Sequence, residues 1–299
     1  MMSVCVLMST YNGEKFLKTQ IDSILAQEGV KIQLLVRDDG STDATHALLN
    51  KYQEKGLLDW YTGPNLRSAY SFWDLVERAP ESSYYSFADQ DDYWYPDKLS
   101  AAVTALKPID GPALYFCKKR LVDAQLNPLN APDEVVTGVT LPYSLLGCRA
   151  AGCTMVFNRE LMQMLRLCKP RTMTMHDSWV LRVAGAVGQV VYDETSHMDY
   201  RQHGANVVGA SPSRLKIWHR RFRSLYQRPK DDIRTRMAQQ LYEVYHDYMH
   251  EPDCSALLNF SKIRSSFSAR LHLIASDYLR TYEPNELPMA KLFVLLGWV

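Results

Sequence analysis

No stretch of the chain approaches the ~20 consecutive apolar residues that a helix needs to cross a bilayer. The first residues, Met1 to Met8, lack the basic start, long apolar core and small-residue cleavage site of a secretory signal. The apolar tail Leu292–Val299 is too short to span a membrane, although it could pack on the protein or touch a membrane surface. Charge of one sign is missing as well. With 34 Lys and Arg against 33 Asp and Glu the net charge is +1, so no global field selects a polyanion and nucleic acid is not an expected partner. The six cysteines, Cys5, Cys117, Cys148, Cys153, Cys168 and Cys254, form no C-x-x-C pair. They lie mostly in apolar surroundings, which argues against a zinc site and for a reduced, cytoplasmic setting.

What remains is an ordinary globular composition. At 299 residues, with 46% hydrophobic and 22% charged side chains, the chain can bury a sizeable core as one large domain or as one domain with an appendage. Its first third alternates. Val4-Cys5-Val6-Leu7-Met8 is a continuous apolar run, Ser9 to Gly13 is a turn, and Phe16, Leu17, Ile21, Ile24 and Leu25 recur at helical spacing. The unit repeats from Ile32–Arg37 through Asp38–Asp43 to Ala47, Leu48 and Tyr52. A third copy runs from Leu57–Tyr61 through Gly63-Pro64-Asn65 to the helical pattern Arg67–Arg78, and Tyr84–Ala88 reads as a fourth strand. Strands alternating with helices predict an α/β fold with a mostly parallel sheet flanked by helices, whose ligands bind outside the carboxyl ends of the strands. Three polar clusters fall at such ends: Thr10-Tyr11-Asn12, Asp38-Asp39-Gly40-Ser41 and Asp89-Gln90-Asp91-Asp92. They are expected to converge on one crevice.

The third cluster is the densest. Three carboxylates within four residues repel one another unless a positive charge sits among them. A hard cation such as Mg²⁺ or Mn²⁺, shared with a substrate diphosphate, would supply it. An acidic turn capping the helix that begins near Pro96-Asp97 is the plainer alternative. Asp39 could accept from the ring N–H of a uracil or thymine and Asp89 from a ribose hydroxyl, since an ionised carboxylate only accepts. The base would then lie deep and the diphosphate would point at Asp91.

Further along, Pro108 to Tyr143 loosens into short runs apart from a strand at Ala113–Cys117, and acceptor-binding loops are expected there. The small residues at Ala150-Ala151-Gly152 would let a ligand, or simply a tight core contact, approach the backbone. Asp177, in Met175-His176-Asp177, either caps the helical run that follows or acts as a general base toward an acceptor hydroxyl. Strand Gln189–Tyr192 precedes Arg201 and His203. The first could clamp phosphate and the second could ligate a metal, or both could be structural.

Taken together, these residues resemble the family 2 glycosyltransferases, the inverting GT-A enzymes, and most closely their bacterial rhamnosyltransferase-like branch. The carrying segments are Met8–Gly13, Arg37–Asp43, Asp89–Leu99, Gly152–Met155, Met175–Asp177 and Tyr200–Gly204, in family order. The resemblance implies a GT-A, Rossmann-like sheet with a helical C-terminal extension. It implies a nucleotide-sugar site using Thr10, Tyr11, Asn12, Asp39, Asp89, Gln90, Gly152 and Arg201. Metal ligation is implied for Asp91 and His203 with Asp92 assisting, and Asp177 is implied as the catalytic base. Ser178 departs from the branch, where an aromatic residue is common. The donor associated with the branch is dTDP-L-rhamnose; a UDP-hexose is the alternative.

The last third changes character. Nine Lys and Arg between Arg214 and Arg236 face only Asp231 and Asp232, and Leu215, Trp218, Phe222, Leu225 and Tyr226 recur at helical spacing. Such a basic amphipathic helix suits an anionic membrane surface, or packs its aromatic face on the catalytic domain. Met237–Tyr248 and Ser261–Tyr282 read as further helices. The expected organisation is a catalytic domain over 1–210, split into a nucleotide-sugar half (1–107) and an acceptor half (108–210), with a helical region over 211–299. A saccharide acceptor on a polyprenyl-diphosphate lipid, used in cell-surface polysaccharide or O-antigen assembly at the inner face of the cytoplasmic membrane, would suit that arrangement. A metal-dependent phosphohydrolase or nucleotidyltransferase and a non-catalytic nucleotide-sugar-binding protein are the competing classes.

Overall fold

Val4 to Met8 have no exposed surface at all. A strand that is apolar on both faces is stable only when both are covered, which is the condition of a parallel sheet between helical layers. The computed structural model of the protein, which describes residues 1–130, 136, 139, 141–146, 150–203, 232–276, 279 and 287–298, has that form. In chain order the first half comprises β1 (Met2–Thr10), α1 (Leu17–Leu25), β2 (Val30–Asp38), α2 (Thr45–Gln53), β3 (Asp59–Thr62), α3 (Arg67–Arg78), β4 (Tyr84–Ala88), β5 (Tyr93–Trp94) and α4 (Lys98–Leu106). The second half comprises β6 (Ala113–Val122), α5 (Leu141–Leu146), a 3₁₀ turn (Gly152–Thr154), β7 (Met155–Asn158), α6 (Arg159–Arg166), α7 (His176–Val187) and β8 (Gln189–Arg201). Among the described residues four α-helices follow: α8 (Ile233–Tyr245), α9 (Asp253–Ser261), α10 (Phe267–Ala275) and α11 (Leu287–Leu296).

The eight strands form one mixed sheet in the order β3-β2-β1-β4-β7-β6-β8-β5. Pairs β3–β2, β2–β1, β1–β4 and β6–β8 are parallel, and β4–β7, β7–β6 and β8–β5 are antiparallel. The chain winds outward from β1 through β2 to β3, then crosses back to place β4 on β1's other side. The carboxyl ends of β1 and β4 therefore flank the point where the winding reverses, which is where such sheets open a crevice.

Alternation along each strand sorts the core into two layers. Cys5, Leu7, Tyr85, Phe87, Phe116 and Phe157 face α3, α6 and α7, whereas Val4, Val6, Met8, Tyr84, Ala88 and Val156 face α1, α2 and α4. The C-terminal helices belong to the first layer, because Met237, Ala238, Leu241 and Tyr245 of α8 are fully buried in the cluster that contains Trp179, Val180 and Val183 of α7. A fully buried Met or Leu of this kind contributes about 1.5–3 kcal/mol.

Several boundaries differ from those the sequence suggests. β6 continues five residues past Cys117, through Lys118–Val122, into the stretch expected to be loop, and β8 runs to Arg201 instead of stopping at Tyr192. Each extension is paired mainly with the other, through register shifts near Lys118, so neither is readable from its own sequence. The helix expected over Ser261–Tyr282 is interrupted. Ser266 accepts the Ala269 N–H at 3.2 Å and starts α10 as a separate helix. The basic helix expected over 211–236 lies, up to residue 231, outside the described residues.

Candidate active site

The crevice is built where β1 and β4 end. Gln90, two residues beyond β4, accepts from the Thr10 hydroxyl at 2.6 Å and the Tyr11 N–H at 2.9 Å, and returns a bond from Nε2 to the Tyr11 carbonyl. Asn12, with a left-handed φ of 48°, takes the Thr42 N–H on its side chain and donates its own N–H to Ser41. The turns after β1, β2 and β4 are thus tied into one rim, on which the half-exposed Tyr11 ring is accessible.

Asp39 sits deeper. It is buried, engaged by the Arg37 guanidinium, and accepts the N–H groups of Leu66 at 2.9 Å and Arg67 at 3.0 Å. Arg37 is itself held by Asp74, Ser71 and the Pro64 carbonyl. Asp38, its fully buried neighbour, is pushed upward by burial, but bonds from Ser41, His46 and Thr62 outweigh this and hold its pKa below the usual carboxylate range.

The acidic cluster divides into two groups. Asp91 Oδ2 lies 2.6 Å from His203 Nε2, and both side chains are largely buried. Asp89, Asp92 and the Cys153 thiol form the other, with one ligand atom from each lying within 4.8 Å of the rest. Asp92 accepts the Arg201 N–H at 3.1 Å through Oδ1, while its buried Oδ2 meets no N–H or O–H donor. Burial, joined by the charges of Asp91 and Asp177, pushes Asp89 up to about 7. Burial and the neighbouring carboxylates also raise Asp92 well above the normal range and drive the Cys153 thiol upward, so it stays protonated. A fully buried cation lies on the inner side of this second group. The Lys98 ammonium is 3.5 Å from the centroid of the Trp94 ring and 3.5 Å from Ser86 Oγ, within electrostatic reach of Asp92 and Cys153.

These positions bear on cation binding. Asp91 and His203 offer a carboxylate oxygen and an imidazole nitrogen side by side, a donor set that fits Mn²⁺ or Mg²⁺. The Asp89–Asp92–Cys153 group is a second set that could hold a cation, through its two carboxylate oxygens. Asp92 is placed in that group and not beside the Asp91–His203 pair. Nor does it cap the following helix: α4 has no side-chain cap, and the carboxylate is turned to β8. Asp97, at the N-cap position, does not cap the helix with its side chain either; its carboxylate pairs with His197 Nδ1 at 2.9 Å.

Arg201 also departs from expectation. Its guanidinium is buried over the Phe16 ring at 4.6 Å, donating to the main-chain carbonyls of Asp91 (2.6 Å) and Ala124. A guanidinium committed to carbonyls behind the acidic loop ties that loop to β8; it is not presented as a phosphate clamp. The pairing of Tyr93 with Asp199 and of Trp94 with Met198 completes the tie and brings His203 to Asp91.

Asp177 lies in the first turn of α7. It accepts the Ser178 N–H at 2.5 Å and a second backbone N–H from Gly152. Burial nonetheless raises it to about 6, a range that lets a carboxylate exchange protons near neutrality. Its charge is felt by Asp89, so the end of β4 and the start of α7 share one electrostatic site. The close approach at Gly152 is to a side chain of the protein: a Cβ there would fall 2.3 Å from His176 Nε2. Sequence reasoning singled out neither His176 as a packing element nor Lys98, Cys153 and Arg37. Lys98 could have been noticed as a lone cation among the apolar positions of α4.

Residues 5–122 match the family model described as glycosyl transferase family 2. The dTDP-rhamnosyl transferase RfbG of Shigella flexneri is 27% identical over 219 residues, covering 69% of this chain and 75% of that protein. The UDP-Glc:alpha-D-GlcNAc-diphosphoundecaprenol beta-1,3-glucosyltransferase WfaP of Escherichia coli is 24% identical over 148 residues, 48% of this chain and 58% of WfaP. Among solved structures, S. aureus TarS 1-349 in complex with UDP-GlcNAc superposes with a TM-score of 0.58 at 16% identity, over 98% of this chain and 89% of that one. The shared architecture is the GT-A fold.

Proposed function

We propose that this chain, whose residues 5–122 match the glycosyl transferase family 2 model, is a glycosyltransferase that moves a sugar from a nucleoside-diphosphate donor to a saccharide hydroxyl with inversion at the anomeric carbon. The observation that carries the reading is the junction of Asp177, two backbone N–H donors and the Asp89–Asp91 loop within one electrostatic site. Thr10, Tyr11, Asn12 and Gln90 form the rim against which the nucleoside lies, with Asp39 beneath it and Asp89 directed to the ribose. Asp177, ionised, accepts the proton of the acceptor hydroxyl. The freed oxygen pair forms the new bond to the anomeric carbon as the bond to the diphosphate oxygen breaks, and the electron pair leaves with the nucleoside diphosphate. Mg²⁺ or Mn²⁺ held by Asp91 and His203 would supply positive charge toward that diphosphate.

The preferred donor is dTDP-L-rhamnose, supported by the RfbG relative. A UDP-hexose is the second reading, favoured by WfaP, whose name gives UDP-Glc as the donor. The acceptor we propose is a saccharide on a polyprenyl-diphosphate lipid in cell-surface polysaccharide assembly, a chemistry named for WfaP. Purified protein incubated with each donor, with and without Mn²⁺, should release nucleoside diphosphate only when an acceptor sugar is present. Release of phosphate or pyrophosphate without acceptor would instead assign a hydrolase or nucleotidyltransferase. Asp177→Asn should lower kcat by about 10²–10⁴-fold while donor binding persists; unchanged turnover would remove Asp177 as the base.

A further inference from the structure

Helices α10 and α11 are apolar on their outer faces as well as on the faces they bury. α10 buries Ala269 and Leu273 in the core, yet Phe267 and Leu271, one turn apart on its opposite face, are 60% and 46% exposed. α11 repeats the pattern: Ala290 and Val294 are buried, while Leu292, Leu295 and Leu296 are exposed. Between Leu287 and Leu296 the only polar side chain is Lys291. A helix that is apolar all round is covered on all sides in its working state, and here the described residues leave one side exposed.

The described parts of this region carry one sign of charge. Residues 261–276 and 287–298 include Lys262, Arg264, Arg270 and Lys291 and no Asp or Glu, while Asp277, Glu283 and Glu286 fall in the connecting stretch outside the described residues. The surface is also preformed. Arg270 donates to the Ile263 carbonyl at 2.6 Å, to Arg264 at 3.2 Å and to Leu295 at 3.2 Å, joining the start of α10 to the end of α11. Gly297, in the left-handed conformation at φ 67°, closes α11 directly over that guanidinium.

We propose that the outer faces of α10 and α11 dock on an anionic lipid bilayer. Apolar side chains rimmed by cations match the acyl–headgroup boundary of such a membrane. A ten-residue helix, about 15 Å long, reaches only half of the ~30 Å hydrocarbon core, so it lies in the plane of the interface. No described helix is long and apolar enough to cross. The proposal does not depend on the sugar-transfer reading, since vesicle binding needs neither donor nor acceptor.

The test is co-sedimentation of the full chain with phosphatidylglycerol-containing vesicles and with pure phosphatidylcholine vesicles. Binding should be strong to the first, weak to the second and reduced by salt. Loss of one large buried apolar side chain corresponds to about tenfold in partition. Phe267→Glu/Leu271→Glu and Leu292→Glu/Leu296→Glu should therefore each lower the vesicle partition coefficient by at least about tenfold, with unchanged thermal unfolding. Should a Glu pair disturb folding, Lys262→Gln/Lys291→Gln tests the cationic rim with the apolar face intact and should weaken binding to the anionic vesicles alone. Undiminished binding in the folded variants would place the contact elsewhere, in the basic segment for example, and overturn the proposal. A concentration-dependent dimer that these substitutions dissolve, without vesicle binding, would overturn it in favour of a second copy of the chain.

Discussion

Gly152→Ala isolates one contact. The added methyl would lie 2.3 Å from His176 Nε2, 3.1 Å from Cε1 and 3.3 Å from Cδ2, so more than 1 Å must be absorbed to reach ordinary van der Waals distance. The imidazole cannot yield easily. It is 3% exposed, stacked on Phe72 at 3.9 Å and edge-on to Phe87 at 4.8 Å. Overpacking of this sort costs about 1–3 kcal/mol, and for a chain of this size each kcal/mol lowers Tm by roughly 2–4 °C. If the backbone of residue 152 moves instead, the N–H that it donates to Asp177 moves too. A misplacement near 1 Å then lowers kcat by up to about 10²-fold. Differential scanning calorimetry and steady-state kinetics on Gly152→Ala, His176→Ala and the double variant read both effects. The double variant should recover much of the Tm lost by Gly152→Ala, because the two changes share one contact and cannot be additive. A Gly152→Ala protein with unaltered Tm and kcat, or strict additivity, would refute the reasoning.

Asp177 is raised to about 6 and must be ionised to accept a proton, so kcat/KM should climb with pH through about 6 and level off above it; a profile flat from pH 5 to 8 would exclude that base. Burial and two neighbouring carboxylates raise Asp89 from 3.8 to about 7, so its proton is held more tightly in the folded state. Its contribution to stability is complete below pH 3.8 and is lost as pH rises through about 7; metal-free protein should unfold more readily at pH 8 than at pH 5.5, and Mn²⁺ should narrow the gap. Lys98, also fully buried, is lowered to about 8 by desolvation. Lys98→Met removes the buried ammonium whose charge reaches Asp92. Lys98→Met, Asp92→Asn and the double variant should be non-additive in Tm, because groups that share one electrostatic environment couple by about 0.5–3 kcal/mol; strict additivity would separate the two residues.

The winding of β1 to β4 was legible because its signals are local. Val4–Met8 is apolar throughout, Arg67–Arg78 has helical spacing, and Asp38–Ser41 and Asp89–Asp92 punctuate strand ends. The observed boundaries of α3 and β4 coincide with the expected ones. Where pairing is non-local, the signal fades. Glu194 to Tyr200 is polar and mixed, and it becomes strand because β6 and β5 lie beside it. α6 was overlooked, although Asn158 accepts the Leu161 N–H at 3.0 Å and marks its start. In the site, residue types showed which groups could do chemistry, and packing decided their employment. Arg201 has the right chemistry for phosphate, yet its donors meet carbonyls, and Asp92 is adjacent to Asp91 in sequence but turns toward Cys153.

The sharing of one core by α7 and α8 has a practical consequence for anyone handling the protein. Cutting the chain after residue 210 would look safe from the composition change there. It would strip Met237, Leu241 and Tyr245 from the cluster that holds Trp179 and Val183, baring an apolar surface on the helix that carries Asp177. A shortened product of that kind would aggregate or lose the alignment of its carboxylate. The full chain should instead melt in a single cooperative transition, with the C-terminal helices acting as the second wall of the catalytic helix.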